Sequence, residues 1–314
     1  MNLGTCIEKY VEHKRSLGMR FVTEARILKS FCKTVGDIGL VNLRPDQVRE
    51  FLMVNGRWTR FSEIKYSVLN GFFSFATARD YTTCIPLPAR VRRRPQVLVP
   101  YIYSRQELVQ LFEMASGPYP AQSRIQPFVF RTLLLLLYGA GLRISEALSL
   151  KPVDVDLKQA VIYVRNTKFF KTRLVTIGTD LAYVLKQYFE QRRRECYCDR
   201  EDAPCFAYKG GGALTRANVE RIFRRMCRLA GIQRSGGPRN QPRLHDLRHA
   251  AAVHRVIEWY RRGQDVQQLL PQLATWLGHV NVASTQRYLT LTPELLNEAS
   301  QRFERYALEP NHEK

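Results

Sequence analysis

Residues 133–148 read LLLLLYGAGLRISEAL. The leucine run predicts a buried apolar helix from about Arg124 to Tyr138. Gly139-Ala-Gly141 predicts its end, because glycine reaches left-handed backbone at little cost and stops helices. Arg143 then stands just after the glycine break at the start of a new helix, with Glu146 one turn later on the same face. Alone, such a pair reads as an exposed surface ion pair worth little. The apolar stretch Leu133–Leu142 spans ten residues, short of the ~18 that a bilayer requires, so no membrane segment is expected.

On the C-terminal side, two strand-like runs, Ala160–Val164 and Leu174–Ile177, are joined by a polar turn through Asn166–Thr172. Helical periodicity then fills the segments near Leu181–Arg193, Arg216–Leu229, His245–Tyr260, Gln267–Leu277 and Val282–Leu289. A last helix over Pro293–Tyr306 places Leu295, Leu296, Ala299 and Phe303 on one stripe.

On the N-terminal side, Ser104 followed three residues later by Glu107 is a capping box for a helix through about Ser116. Before it, residues 85–100 carry four prolines and four arginines with no acid, which predicts an extended basic strap. Earlier still, four apolar stripes recur at helical spacing. Ile7, Tyr10, Val11, Lys14 and Leu17 form the first, and Ala25, Ile27, Leu28, Phe31 and Val35 the second. Val48, Phe51 and Leu52, opened by Pro45, form the third, and a helix from about Thr59 to Arg79 the fourth. The chain is therefore expected to be mainly α with a small β-hairpin. Residues 1–83 form a helical domain, 84–102 a linker, and 103–314 a larger mixed domain.

Composition narrows the partner. The 314 residues carry 49 Lys plus Arg against 28 Asp plus Glu, a net charge of +21, which strains a compact fold unless a polyanion relieves it. Nucleic acid is the first expectation. With 45% hydrophobic and 11% aromatic residues the chain buries a sizeable core, so the charge decorates folded domains rather than a disordered tail. Seven scattered cysteines make no disulfide framework, and the amphipathic N-terminus lacks the uninterrupted apolar stretch of a signal peptide, so a cytoplasmic location is expected.

Three further segments carry polar residues suited to phosphate chemistry. His245 and Arg248, in Leu-His-Asp-Leu-Arg-His, lie three apart and face one way on a helix. Three of the six histidines fall between His245 and His254, directly after the basic loop Gly236–Arg243. Such a loop feeding a helix start favours anions through backbone N–H groups and guanidinium forks. In Trp276-Leu-Gly-His279, Gly278 supplies a helix stop and Asn281 an N-cap, so that His279 and Tyr288, nine residues on, can approach one centre. The hairpin tip Asn166-Thr-Lys-Phe-Phe-Lys-Thr-Arg173 offers Lys168 and Lys171 as DNA contacts or proton donors.

Together these segments resemble the catalytic domain of the tyrosine recombinase family, which includes phage integrases and Xer-type recombinases. Gly-Leu-Arg-Ile-Ser-Glu matches the family's first arginine at Arg143, the hairpin its lysine at Lys168, His-Asp-Leu-Arg its second box at His245 and Arg248, and Leu-Gly-His its third at His279, with the nucleophile at Tyr288. The hairpin lacks the usual Gly-Lys-Gly, which leaves Lys171 a possible substitute. Residues 1–83 are similar to the family's helical core-binding domain, making a C-shaped clamp.

The resemblance implies a site-specific DNA recombinase or integrase that cleaves and rejoins DNA through a 3′-phosphotyrosine, exchanging strands between two duplexes. Arg143 and Arg248 would stabilise the charged transition state in place of a metal. His245 would take the tyrosine proton, Lys168 would protonate the departing 5′-oxygen, His279 would bond a non-bridging oxygen, and Glu146 would orient Arg143 or a histidine.

Arg90, Arg92, Arg93, Arg94, Lys171, Arg173 and Arg243 are the expected DNA contacts. No metal or cofactor is expected. Asp154 and Asp156 read as turn formers, Cys196, Cys198 and Cys205 form a local cluster of three thiols without a histidine nearby, which argues against a zinc site, and the insertion Glu195–Pro204 reads as a surface loop.

The implied partners are double-stranded DNA sites of a mobile element or chromosome, and further copies in a homotetramer or a mixed tetramer linked by the C-terminal helix. The implied location is the nucleoid. Two other classes share features of the sequence: a DNA-binding protein with a vestigial catalytic set, and a type IB topoisomerase relaxing supercoils as a monomer.

Overall fold

A computed structural model describes residues 1–88, 99–117, 124–165, 172–195, 197, 200, 202–237, 240–279, 283–286 and 293–308. The chain divides into two compact units, each with its own core.

The first unit holds four helices, α1 (Leu3–Ser16), α2 (Val22–Val35), α3 (Pro45–Leu52) and α4 (Arg60–Thr77). Its core is aromatic: Phe31 packs 5.0 Å from Phe51 and near-perpendicular to Phe73, while Tyr10 meets Phe21 edge-on at 5.4 Å. Thr59 caps α4, its hydroxyl accepting from the Ser62 N–H at 3.2 Å. The apolar stripes of α2, α3 and α4 face this core as their spacing predicts. Leu17, expected on the first stripe, is exposed, because α1 stops one residue before it.

The second unit is built around α6 (Pro127–Gly139), whose Val129, Phe130, Leu133, Leu134, Leu136 and Leu137 are all buried. It starts three residues later than the apolar pattern suggested, at a proline whose fixed φ suits a first turn. α5 (Arg105–Met114) carries the expected capping box, with the Ser104 N–H donating to Glu107 at 2.8 Å and the Glu107 N–H to Ser104 at 3.2 Å. Tyr101 and Ile102, assigned to the linker by sequence, pack against this core, so the unit begins before Tyr103.

α7 (Ile144–Ser149) leads into a three-stranded antiparallel sheet, β1 (Val155–Asp156), β2 (Val161–Val164) and β3 (Arg173–Thr176), in that order. Ile162 pairs with Val175, and both are buried. The sequence showed two strands. β1 has only two residues, too few for an alternation to register. Asp156 makes the tight turn that follows, accepting from the N–H groups of Lys158 and Gln159.

α8 (Thr179–Arg194), α9 (Arg216–Leu229), α10 (Asp246–Arg261), α11 (Val266–Leu277), α12 (Ala283–Gln286) and α13 (Pro293–Leu308) complete the unit. The insertion after α8 is not wholly a surface loop: Tyr197 and Ala203 are buried, and the buried Arg192 donates to the carbonyls of Pro204 and Cys205. α13 lies on α10, where Arg261 meets Glu294 at 2.9 Å and Glu298 at 2.8 Å. Leu295 is buried while Leu296 and Phe303 are exposed, so the expected single apolar stripe is split. Among the described residues no helix is long and apolar enough to cross a membrane.

Candidate active site

Gly141 opens the site. Its φ of +58° is left-handed, and a Cβ there would stand 2.5 Å from Cζ3 of Trp276, so only glycine lets the chain turn under the indole. Trp276 is itself fixed, its Nε1–H donating to the Thr176 carbonyl at 3.0 Å while the Arg255 guanidinium lies over its ring at 4.2 Å.

After this turn Arg143 begins α7, and Glu146 reaches back to it. Glu146 accepts the Arg143 backbone N–H at 2.9 Å and its Nη1 at 2.7 Å. Its other face receives Arg173, Nη1 at 3.0 Å and Nη2 at 2.8 Å, one nitrogen to each oxygen. The pair is therefore no exposed surface bridge, because Glu146 is buried between two guanidiniums. Burial opposes its ionisation, but the hydrogen bonds and charge of Arg173, together with the bonds from Arg143, override this and hold the carboxyl down at about 2.

The end of α11 closes on the same place. Gly278, at φ +69°, ends the helix, and a Cβ on it would lie 2.8 Å from the Arg173 guanidinium carbon. Arg143 Nη2 donates to the Gly278 carbonyl at 3.0 Å, and Arg173 Nε to the Trp276 carbonyl at 3.3 Å.

Arg248, in the first turn of α10 and buried, donates through Nη1 to the Gly141 carbonyl at 2.5 Å and through Nη2 to the Leu277 carbonyl. Each of these arginines thus bonds the backbone of the Trp-Leu-Gly-His segment, and Arg248 also bonds the glycine break itself.

Three imidazoles share this field. His245 meets His249 edge to face, ring centres 4.8 Å apart. His279 Nδ1 stands 2.8 Å from the buried Thr285 hydroxyl. The protein packed around His245, which still keeps an exposed face, lowers its pKa to about 4, with Arg248 adding to the effect and Asp246 opposing it. Burial likewise, then the charges of Arg248 and Arg143, lower His279 to about 4. His249 is pushed to about 3 by burial and by His245. At neutral pH all three are uncharged, able to accept a proton or to donate one hydrogen bond.

Arg143, Glu146, His245, Arg248 and His279 therefore converge as the sequence placed them. Lys168, Lys171, Tyr288 and the strap residues Arg90, Arg92, Arg93 and Arg94 lie outside the described residues, as do Cys196 and Cys198.

Two expected DNA contacts are placed differently. Arg173 is packed inside the site, its side chain 11% exposed and its fork spent on Glu146. Arg243 turns its fork onto the buried carboxylate of Asp246, Nη2 at 2.6 Å, and its backbone N–H onto the same group at 2.8 Å. Its carbonyl takes the Tyr103 hydroxyl at 3.1 Å.

Sequence reasoning missed His249 and Thr285 as site residues, and it named Arg173 as a DNA contact rather than as a partner of Glu146. His249 was findable, one helical turn beyond His245. Arg173 reaches Glu146 across 27 residues and leaves no local signal. Among the described residues no cluster of three His, Cys, Asp or Glu is arranged to hold a metal ion.

Residues 104–294 match the phage integrase family. The chain is 33% identical over 307 residues to an integrase/recombinase, y4rB, of Sinorhizobium fredii, covering 95% of this chain and 96% of the relative. It is 31% identical over 252 residues to the tyrosine recombinase XerA of Thermococcus kodakarensis, covering 80% and 78%. The fold is that of the Tn1549 transposon integrase solved in complex with transposon right end DNA, with a TM-score of 0.67 at 16% identity, covering 98% of this chain and all of that one. Two arginines and three neutral histidines gathered on a glycine-broken backbone, in a chain alike over nearly its whole length to an integrase/recombinase, place this protein in the phage integrase family, among the tyrosine site-specific recombinases.

Proposed function

We propose that this recombinase breaks and rejoins duplex DNA through Tyr288. The tyrosine oxygen attacks the scissile phosphorus as the bond from phosphorus to the 5′-oxygen breaks, leaving a 3′-phosphotyrosine and a 5′-hydroxyl. The phosphodiester's energy is kept in the new ester, so the 5′-hydroxyl of a partner strand can reverse the attack without hydrolysis. His245, neutral at pH 7, takes the phenolic proton, and Lys168, or Lys171 in its place, protonates the departing 5′-oxygen. Arg143 and Arg248 bear on the non-bridging oxygens, where negative charge grows in the transition state, with His279 donating a further hydrogen bond.

The observation that carries this reading is the joint anchoring of the two arginines. Arg248 bonds the carbonyl of Leu277 and Arg143 that of Gly278, immediately before His279. Two fixed charges held to one short backbone segment suit one phosphate.

The arginines of the 85–100 strap and the +21 charge suit binding along the DNA backbone. α13 is read as the contact through which four copies assemble on two duplexes, since Leu296 and Phe303 stand exposed on it. The reaction belongs in the cytoplasm, on chromosomal or mobile-element DNA.

The test is to incubate the protein with fragmented genomic DNA of its source, stop with detergent, and sequence the DNA that stays attached. Discrete cleavage positions for the wild type, and none for Tyr288→Phe, are expected. Attachment scattered without preference, with relaxation of any supercoiled plasmid, would point to topoisomerase activity instead.

A further inference from the structure

We propose that Arg173 is a positioning residue for the strand-transfer reaction: it keeps the charge of Arg143 available to the scissile phosphate and locks Arg143 and the His279 segment into one rigid unit. This rests on the phosphotyrosine reading above.

Arg143 and Glu146 alone would form a neutral pair, and a neutral pair offers little to a phosphate. Arg173 meets the same carboxylate fork to fork, at 3.0 and 2.8 Å, so the three groups together carry one net positive charge. Arg173 is the more enclosed of the two arginines, with its side chain 11% exposed against 38% for Arg143. The enclosed guanidinium neutralises the carboxylate while the other faces outward. Arg143 Nη1 already meets Glu146 at 2.7 Å, so removing Arg173 would leave that carboxylate to Arg143 alone and cancel its charge.

Arg173 Nε bonds the Trp276 carbonyl, and its guanidinium lies directly against the α-carbon of Gly278. Arg143 holds the carbonyl of that same glycine. Arg173 thus ties the first residue of β3 to the start of α7 and to the end of α11.

The test uses the full chain and a synthetic duplex carrying a mapped cleavage position, nicked so that cleavage is irreversible. It is run with an ordinary phosphodiester and with a methylphosphonate, whose scissile linkage has no negative charge to stabilise. Wild-type protein must form the covalent complex on the phosphodiester duplex; if it does not, the phosphotyrosine reading itself fails.

With that in place, Arg173→Gln should slow single-turnover cleavage of the phosphodiester about 100-fold, the scale of losing one preorganised charge donor. DNA affinity should change little. The loss should shrink to less than about tenfold on the methylphosphonate, and Arg173→Gln combined with Arg143→Ala should be little worse than Arg143→Ala alone.

Gly278→Ala, which changes no charge but pushes a methyl onto the Arg173 guanidinium, should slow cleavage in the same direction. Arg173→Lys, which keeps the charge without the fork, should fall between wild type and Arg173→Gln.

Wild-type cleavage by Arg173→Gln would overturn the proposal, and so would an equal loss on both linkages or full additivity with Arg143→Ala. If Arg173→Gln does not fold, Arg173→Lys and Gly278→Ala decide by the same comparison of linkages. If none of the three folds, Arg173 is a stability residue and the proposal is wrong.

Discussion

His279 Nδ1 and the hydroxyl of Thr285 stand 2.8 Å apart, with the threonine fully buried. A hydroxyl donating to Nδ1 selects the tautomer with its proton on Nε2, the form that can donate to a phosphate oxygen. Thr285→Val keeps the shape and removes this bond, so the ring loses its tautomer preference. Single-turnover cleavage should fall roughly five- to tenfold, equivalent to about 1 kcal/mol of transition-state stabilisation. Thr285→Ser, which restores the hydroxyl, should recover most of the rate.

Gly141→Ala tests the turn beneath the indole. The residue needs a left-handed backbone, and its new methyl would lie within 3 Å of Trp276. Backbone strain and overpacking together should cost about 2–4 kcal/mol. A urea midpoint unchanged from wild type would show that the turn tolerates a side chain.

Acid should destabilise the protein through its site. An ordinary histidine titrates near 6.5, whereas His245 and His279 are held at about 4 and His249 at about 3. Between these values the unfolded chain binds more protons than the folded one, so stability falls as pH falls through that window. Above 6.5 both states carry neutral imidazoles and this contribution to pH dependence vanishes. Glu146, at about 2 against an ordinary 4.5, adds a second loss as pH drops below 4.5. The urea midpoint is expected to be lower near pH 5 than near pH 7.5, and an equal or higher midpoint contradicts this. The cleavage rate of the nicked duplex should likewise show no inflexion near 6.5, because His245 is already neutral there.

Tyr103→Phe removes the hydroxyl that ties the start of the second unit to the Arg243 carbonyl, just ahead of His245. About 1 kcal/mol of stability should be lost on thermal or urea unfolding. The salt dependence of DNA binding should not change, since no charge is altered.

Much of the site is legible in the sequence because its parts are local. Arg143 follows a glycine break, His245 and Arg248 are one turn apart, and Gly278 announces the helix end that frees His279. The capping box at Ser104 and the helices of the first unit are equally local, written in periodicity and end signals.

What escapes is non-local or too short. β1 has two residues and no period. Arg173 reads as a basic residue at the edge of a hairpin, and nothing within its own segment reveals that a carboxylate 27 residues away captures its fork. The basic loop suggests a phosphate contact for Arg243; its guanidinium and its N–H also donate to Asp246, three residues on, while its side chain stays 41% exposed. Net charge points to the partner class; only the order of arginines, histidines and tyrosine points to the chemistry.

The central claim is that Tyr288 carries the DNA. The most direct measurement is mass spectrometry of the trapped covalent complex after nuclease and protease digestion. The account predicts one nucleotide-bearing peptide, modified on Tyr288 through a 3′-phosphate, lost in Tyr288→Phe and strongly reduced in Arg248→Ala. A nucleotide attached to another residue, or joined through a 5′-phosphate, would contradict it.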